Sequence, residues 1–185
     1  MKTYARMQIG GGVEILRRVP HVVNAGEAEL GAYAAAHGYK EFSAGGARPG
    51  RYYKLEYMEG PAEIIAVWTA WNLEDAKKDA LETVQGRLDA VLDARATITC
   101  AGFEAGIVYD RNALINAGGL AEGDTFIDAA DGLHTLTAED VEAITAALKG
   151  KRKELYAATT QVRVRIDSAQ DVDEVEAALD LAETL

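Results

Sequence analysis

The sequence predicts an α+β protein: a small β-rich domain over residues 1–71, then a mainly helical domain, bundle-like or coiled-coil, over residues 72–185. Three observations predict it. Tyr52, Lys54 and Glu56 alternate with Tyr53, Leu55 and Tyr57, the period-2 mark of a half-buried strand. From Asn72 onward apolar residues recur at spacings of three and four, as on one face of a helix. The chain has 185 residues, 49% of them hydrophobic. A chain of that length hides roughly 70% of the surface its unfolded form exposes, enough for a proper core.

The elements follow in order. TYARMQI and VEILRRV flank Gly10, Gly11 and Gly12, whose freedom at positive φ suits a hairpin turn. Asn24 with Glu27 predicts a helix cap before EAELGAYAAAH, and Gly38 its end. YKEFS reads as a short strand and GGARPG as an exposed loop. RYYKLEYM and AEIIAVWTAW are strands joined by a turn at Glu59-Gly60-Pro61-Ala62, in a sheet that carries the helix near residues 27–37. Leu73, Ala76, Ala80, Val84, Leu88 and Val91 then predict a helix of about 22 residues with one apolar stripe. TITCAG and FEAGIVY predict a small β-hairpin near 97–109, and DRNALINAGGL a short helix closed by Gly118.

Thr137 with Asp140 resembles a capping box, with aspartate in the usual place of glutamate. Val141, Ile144, Leu148, Leu155, Thr159, Val162 and Ile166 then keep a single seam without any proline. One unbroken helix to Ile166 is expected, with Gly150 costing roughly 1 kcal/mol relative to alanine without stopping it. Arg152 falls on the seam between Leu148 and Leu155, beside Lys149, Lys151 and Lys153. Asp171 with Glu174 caps a last helix whose stripe is Val172, Val175, Leu179 and Ala182. Three such helices satisfy one another by packing as a bundle or coiled coil. Stripes this long also predict association through the helical half, with Arg152 fixing register or oligomeric state.

Thirty acids against 19 bases leave a net charge of −11. Such a surface repels phosphate backbones and argues against a nucleic-acid partner. The single cysteine, Cys100, allows no internal disulfide. MKTYARMQ lacks the apolar core of a signal peptide, and no run approaches the ~20 apolar residues of a membrane span. The expected compartment is a bacterial cytoplasm, with no membrane partner.

Catalytic and cofactor motifs are not legible. His21, His37 and His134 have no second histidine or cysteine at metal-ligand spacing, and His37 is explained by a helix end that favours a cation. Asp124, Asp128 and Asp131 before Gly132 suggest a calcium loop, but Ile127 and Ala129 occupy ligand positions and the pattern fails. The glycine clusters match no dinucleotide or phosphate loop. Cys100 sits in an apolar strand and reads as a buried, inert thiol. No metal, cofactor or catalytic residue is assigned. Tyr52, Tyr53, Tyr57, Trp68 and Trp71 crowd two adjacent strands. Core packing and cross-strand pairing account for such aromatics. Any that project from the other face become partner anchors, which makes Tyr52, Tyr57, Trp68 and Trp71 candidate binding residues together with Arg152.

The chain opens on MKTYARMQ…VEILR, continues through a β domain with a tryptophan-bearing strand, and reaches LEDAKKDALETVQGRLDA. FEAGIVYDRNALINA, LHTLTAEDVEAITAAL and KELYAATTQVRVRIDSAQDVDEV follow. This order resembles phage and prophage tail-fibre-associated proteins. Over residues 70–180 it is similar to a C-terminal domain of unknown function found in tail-fibre and tail-fibre-assembly proteins of tailed phages. The related assembly proteins are chaperones that bind the tip of a trimeric fibre, help it fold and sometimes stay there. The resemblance implies a non-enzymatic protein whose partner is a tail-fibre or other tail protein, in a homo-oligomer or hetero-complex. It would work in the host bacterial cytoplasm during assembly, and in the virion tail where it is retained. The alternative is a phage-encoded protein that binds and inhibits a host protein, for which acidity would suit mimicry of nucleic acid. An enzyme would need a pocket with perturbed acids.

Overall fold

The computed structural model describes residues 2–17 and 25–184; His21 and Asn24 lie outside them. The fold is α+β, β-rich at the N-terminal end and helical at the C-terminal end. It comprises two compact units, Met1–Asn72 and Leu73–Leu185. Among the described residues no helix is long and apolar enough to cross a membrane.

The first unit is a five-stranded mixed sheet. Its strands are β1 (Tyr4–Met7), β2 (Val13–Leu16), β3 (Lys40–Ser43), β4 (Tyr53–Glu59) and β5 (Glu63–Ala70), in the spatial order β2-β1-β3-β5-β4. Gly10 and Gly11 take φ of 110° and 86° in the β1–β2 turn, a region that side chains disfavour. Helix α1 (Glu27–Ala36) starts on Gly26, whose N–H donates to Glu29 Oε2 at 2.9 Å. The cap therefore lies two residues later than Asn24, and Glu29 supplies the carboxylate expected from Glu27. Buried Leu30 and Ala34 cluster with Leu16, and Tyr4, Tyr33 and Tyr39 pack around them. That places α1 over the β1–β2 end of the sheet. One consequence is that β4 is less buried than its alternation predicts: Tyr53 and Tyr57 are half-buried, but Leu55 is exposed with Lys54, Glu56 and Met58.

The second unit is a helical bundle that holds two hairpins. Helix α2 (Leu73–Asp93) buries Ala76, Ala80, Val84, Leu88 and Leu92, a stripe of strict spacing four that ends on Leu92 and leaves Val91 half-buried. Strands β6 (Ala96–Cys100) and β7 (Phe103–Tyr109) form the first hairpin. Helix α3 (Arg111–Asn116) is capped by Asp110, whose Oδ1 accepts from Ala113 N–H at 2.7 Å. It passes into a 3-10 turn over Ala117–Gly119, so Gly118 does not close it in a left-handed conformation. Strands β8 (Thr125–Ile127) and β9 (Leu133–Thr135) form the second hairpin.

Helix α4 (Ala138–Ser168) runs 31 residues without a break. Thr137 Oγ1 accepts from Asp140 N–H, and Asp140 Oδ2 accepts from Thr137 N–H at 2.9 Å, the reciprocal capping box. Ile144, Leu148, Leu155, Thr159, Val162 and Ile166 are its buried seam. Helix α5 (Val172–Asp180) starts on Asp171, which accepts from Glu174 N–H at 2.9 Å, and buries Val172, Val175, Ala178 and Leu179. Helices α2, α4 and α5 touch pairwise. Lys77 Nζ donates to Asp167 O near the α4 C-terminus, where a helix leaves carbonyls open, and Arg87 Nη1 donates to Leu179 O near the C-terminus of α5. The bundle thus buries on itself the stripes that the sequence assigns to association.

Gly150 lies in mid-helix with nothing within 4 Å of where a Cβ would stand. Gly150→Ala is expected to stabilise the unit by about 1 kcal/mol, read as a higher urea midpoint with unchanged slope.

Candidate functional site

The β4–β5 register sets the geometry of the aromatic cluster. Leu55 pairs with Trp68, Tyr57 with Ala66 and Glu59 with Ile64, which places Tyr53, Leu55, Tyr57, Ile64, Ala66 and Trp68 on one face. The loop between β3 and β4 covers that face: Trp68 Nε1 donates to Gly46 O at 3.3 Å. Gly45 is so close to β5 that a Cβ would stand 2.5 Å from Ala66 O. Tyr57 and Trp68 are accordingly half-buried. Tyr52 is fully buried, with the Trp71 ring edge-on at 5.6 Å. Core packing is therefore the role of Tyr52, which has no surface to offer a partner. Trp71, 38% exposed, keeps some. The opposite face carries Lys54, Glu56 and Met58 beside Ile65, Val67 and Thr69, with Met58, Ile65 and Val67 exposed. The run Ile64-Ile65-Ala66-Val67 is apolar on both faces of the strand, the one signal from which this second surface could have been read.

Arg152 is not buried in the α4 seam. Leu148 and Leu155 are seven residues apart, and the seam between them is split by Lys151 and Arg152, both of which reach outward. The Arg152 guanidinium lies 5.5 Å from the centre of the Tyr156 ring, a cation–π contact, and among the described residues it makes no ion pair. These two side chains line a shallow cleft of about 390 Å³ with Leu92, Arg111, Leu114 and Ile115. Arg111 is held at its rim by Asp93 Oδ1 at 2.8 Å and Asp89 Oδ1 at 2.9 Å. Those bonds raise the Arg111 pKa, and the Arg111 guanidinium in turn holds the Asp89 carboxyl below its usual range. Ile115 is 71% exposed and Tyr156 45% exposed, so the cleft offers apolar surface beside the Arg152 cation. It suits an apolar side chain flanked by a carboxylate.

The acidic loop is a structural device. Asp128 Oδ1 accepts from Ala130 N–H at 2.9 Å and Gly132 N–H at 2.7 Å, and Oδ2 lies 2.8 Å from His134 Nε2. The His134 bond is the largest cause that holds the Asp128 carboxyl below its ordinary pKa. A carboxylate only accepts, so His134 presents the protonated nitrogen. The sequence does not reveal this pair, because a tight hairpin brings together residues six apart. Asp131 takes φ of 63°, and a Cβ on Gly132 would meet Asp128 Oδ2 at 2.7 Å. The Phe103 ring stands edge-on to His134 at 5.0 Å. Cys100 is buried, and burial pushes its thiol pKa up, away from reactivity. Among the described residues no cluster of three or more histidines, cysteines or acids is placed to hold a metal. Comparison with protein-family models, with curated proteins and with solved structures gives no match.

Proposed function

We propose that the protein is a non-enzymatic component of a tailed-phage tail that binds a fibre protein, as an assembly chaperone or as a resident part. It acts in the host bacterial cytoplasm during assembly. The observation that carries the reading is the α3–α4 cleft. It combines exposed Ile115 and Tyr156 with Arg152, a cation that makes no ion pair among the described residues, on a chain of net charge −11. Tyrosine and arginine beside apolar surface are the side chains that anchor protein partners. The resemblance to tail-fibre-associated proteins supplies the partner class. Several residues that carry it hold the fold of the second unit: Asp110 caps α3, Thr137 and Asp140 cap α4, and Gly106 sits in β7.

The test is co-expression with the fibre proteins encoded beside this chain, followed by affinity capture. The wild type should retain one of them. Arg152→Glu and Tyr156→Ala should each weaken capture at least tenfold, about 1.4 kcal/mol, with the far-ultraviolet circular dichroism unchanged. No captured tail protein, or capture that both variants leave intact, overturns the reading.

A further inference from the structure

In the order β2-β1-β3-β5-β4, β4 ends the sheet among the described residues, and its strand ladder is with β5. The phase of that ladder is visible at both ends: Trp71 N–H donates to Tyr52 O, and Gly60 N–H to Glu63 O, each at 2.8 Å. Lys54, Glu56 and Met58 therefore turn their amides and carbonyls to β5, and Leu55, Tyr57 and Glu59 turn theirs to the open edge. Sheets blunt such an edge with proline, a bulge or a covering segment. Strand β4 has seven residues in unbroken register, without proline or glycine. Such an edge is a template for another strand.

We propose that β4 pairs antiparallel with β4 of a second copy of this chain, across a two-fold axis at Leu55. The two five-stranded sheets become one continuous sheet. Charge chooses the axis. With Leu55 opposite its own counterpart, Lys54 of each chain faces Glu56 of the other, and Tyr53 faces Tyr57. Opposite charges and aromatic pairs at directly opposed positions both stabilise antiparallel strands. Centring on Glu56 would set Glu56 against Glu56, and centring on Lys54 would set Lys54 against Lys54; like charges there destabilise. Centring on Tyr57 would set Leu55 against Glu59 and Glu56 against Met58. Only the Leu55 axis matches every charge.

That axis also falls on a residue whose own amide and carbonyl face the edge, so the central pair exchanges two backbone hydrogen bonds. The charges are accessible: the Lys54 and Glu56 side chains are 58% and 46% exposed, paired with each other at 2.7 Å. Dimerisation exchanges this local pair for contacts between chains. An edge of seven residues buries less than the roughly 800 Å² per partner of a standard interface, so the dimer is concentration-dependent. This inference stands apart from the tail reading, because β4 and the α3–α4 cleft belong to different units.

The test is sedimentation equilibrium of the full chain over a rising concentration series. The mass should climb from 19.8 kDa toward twice that value. Lys54→Glu alone and Glu56→Lys alone should each remain monomeric. The double variant K54E/E56K should dimerise again, and the two single variants mixed in equal amounts should form a heterodimer. Leu55→Cys, at the axis, should cross-link two chains on oxidation. Circular dichroism of each variant separates lost pairing from lost folding. A wild type that stays monomeric throughout, a dimer that both single variants leave intact, or a folded double variant that fails to recover would overturn the proposal.

Discussion

Gly106→Ala should destabilise the helical unit by roughly 2–4 kcal/mol, with a fall in Tm on the order of 10 °C. Gly106 has φ of +76°, where an L side chain is strained. An added Cβ would also stand 2.6 Å from Ile98 O and 2.8 Å from Thr97 Cγ2. The first of these is backbone in the paired strand and cannot swing aside. The register explains the conformation. Ile98 pairs with Ile107 but Cys100 with Phe103, so β7 carries extra residues opposite Thr99 and bulges. The bulge leaves the Gly106 carbonyl free to accept from Ala129 N–H at 3.1 Å, which ties the first hairpin to the loop of the second. Gly118 is the control: it has open space around it and no positive φ, so Gly118→Ala should be close to neutral. Thermal unfolding of the two variants side by side decides the matter. Equal Tm values would sink the argument.

What the sequence made legible is whatever depends on neighbours in the chain. Spacing in α4 was enough for its full length, because thirty-one residues of one seam leave little else to form, and Thr137 with Asp140 marked its start. Local pattern also placed the β1–β2 and β4–β5 hairpins at their glycine and proline turns. Exposure was less legible. Whether a half of β4 is core depends on how far α1 reaches across the sheet, and α1 sits at the other end with Leu16 and Tyr4. Tyr52 and Trp71 look alike in sequence, yet one is fully buried and the other is 38% exposed. Arg152 fell on the seam by counting, whereas its long stem lets the charge leave it and lie over Tyr156. The cleft was not legible at all. Leu92, Ile115 and Tyr156 come from three helices, and only the fold sets them side by side. The Asp128–His134 pair was hidden for a related reason, since a chelate-like reading of the acids looked for ligands at alternate positions and not for a carboxylate that binds its own loop.

That loop should make the stability of the second unit depend on pH through Asp128. Its carboxyl accepts from His134, from Gly132 N–H and from Ala130 N–H, in that order of effect on its pKa, and they hold it below the ordinary value of 3.8. A group whose folded pKa is depressed binds fewer protons folded than unfolded as pH approaches that value. Its contribution is therefore fully present above the unfolded pKa near 3.8 and is lost as pH falls through the lower folded value. Asp128→Asn keeps the shape and one acceptor oxygen but removes the charge, and it turns an N–H toward His134. The variant should unfold at clearly lower urea than the wild type at pH 7, and the gap should narrow as pH drops below 3.8. His134→Ala should reproduce part of that loss, because the two loop amides keep their acceptor. Asp140, lowered by Thr137, and Asp89, lowered by Arg111, lie in the same unit, so the wild type alone will show acid sensitivity from all three groups. The difference between wild type and Asp128→Asn isolates one of them. A gap that stays constant from pH 7 down through the acid range would mean that Asp128 acts by shape alone, and the charge-based account of the hairpin would fall.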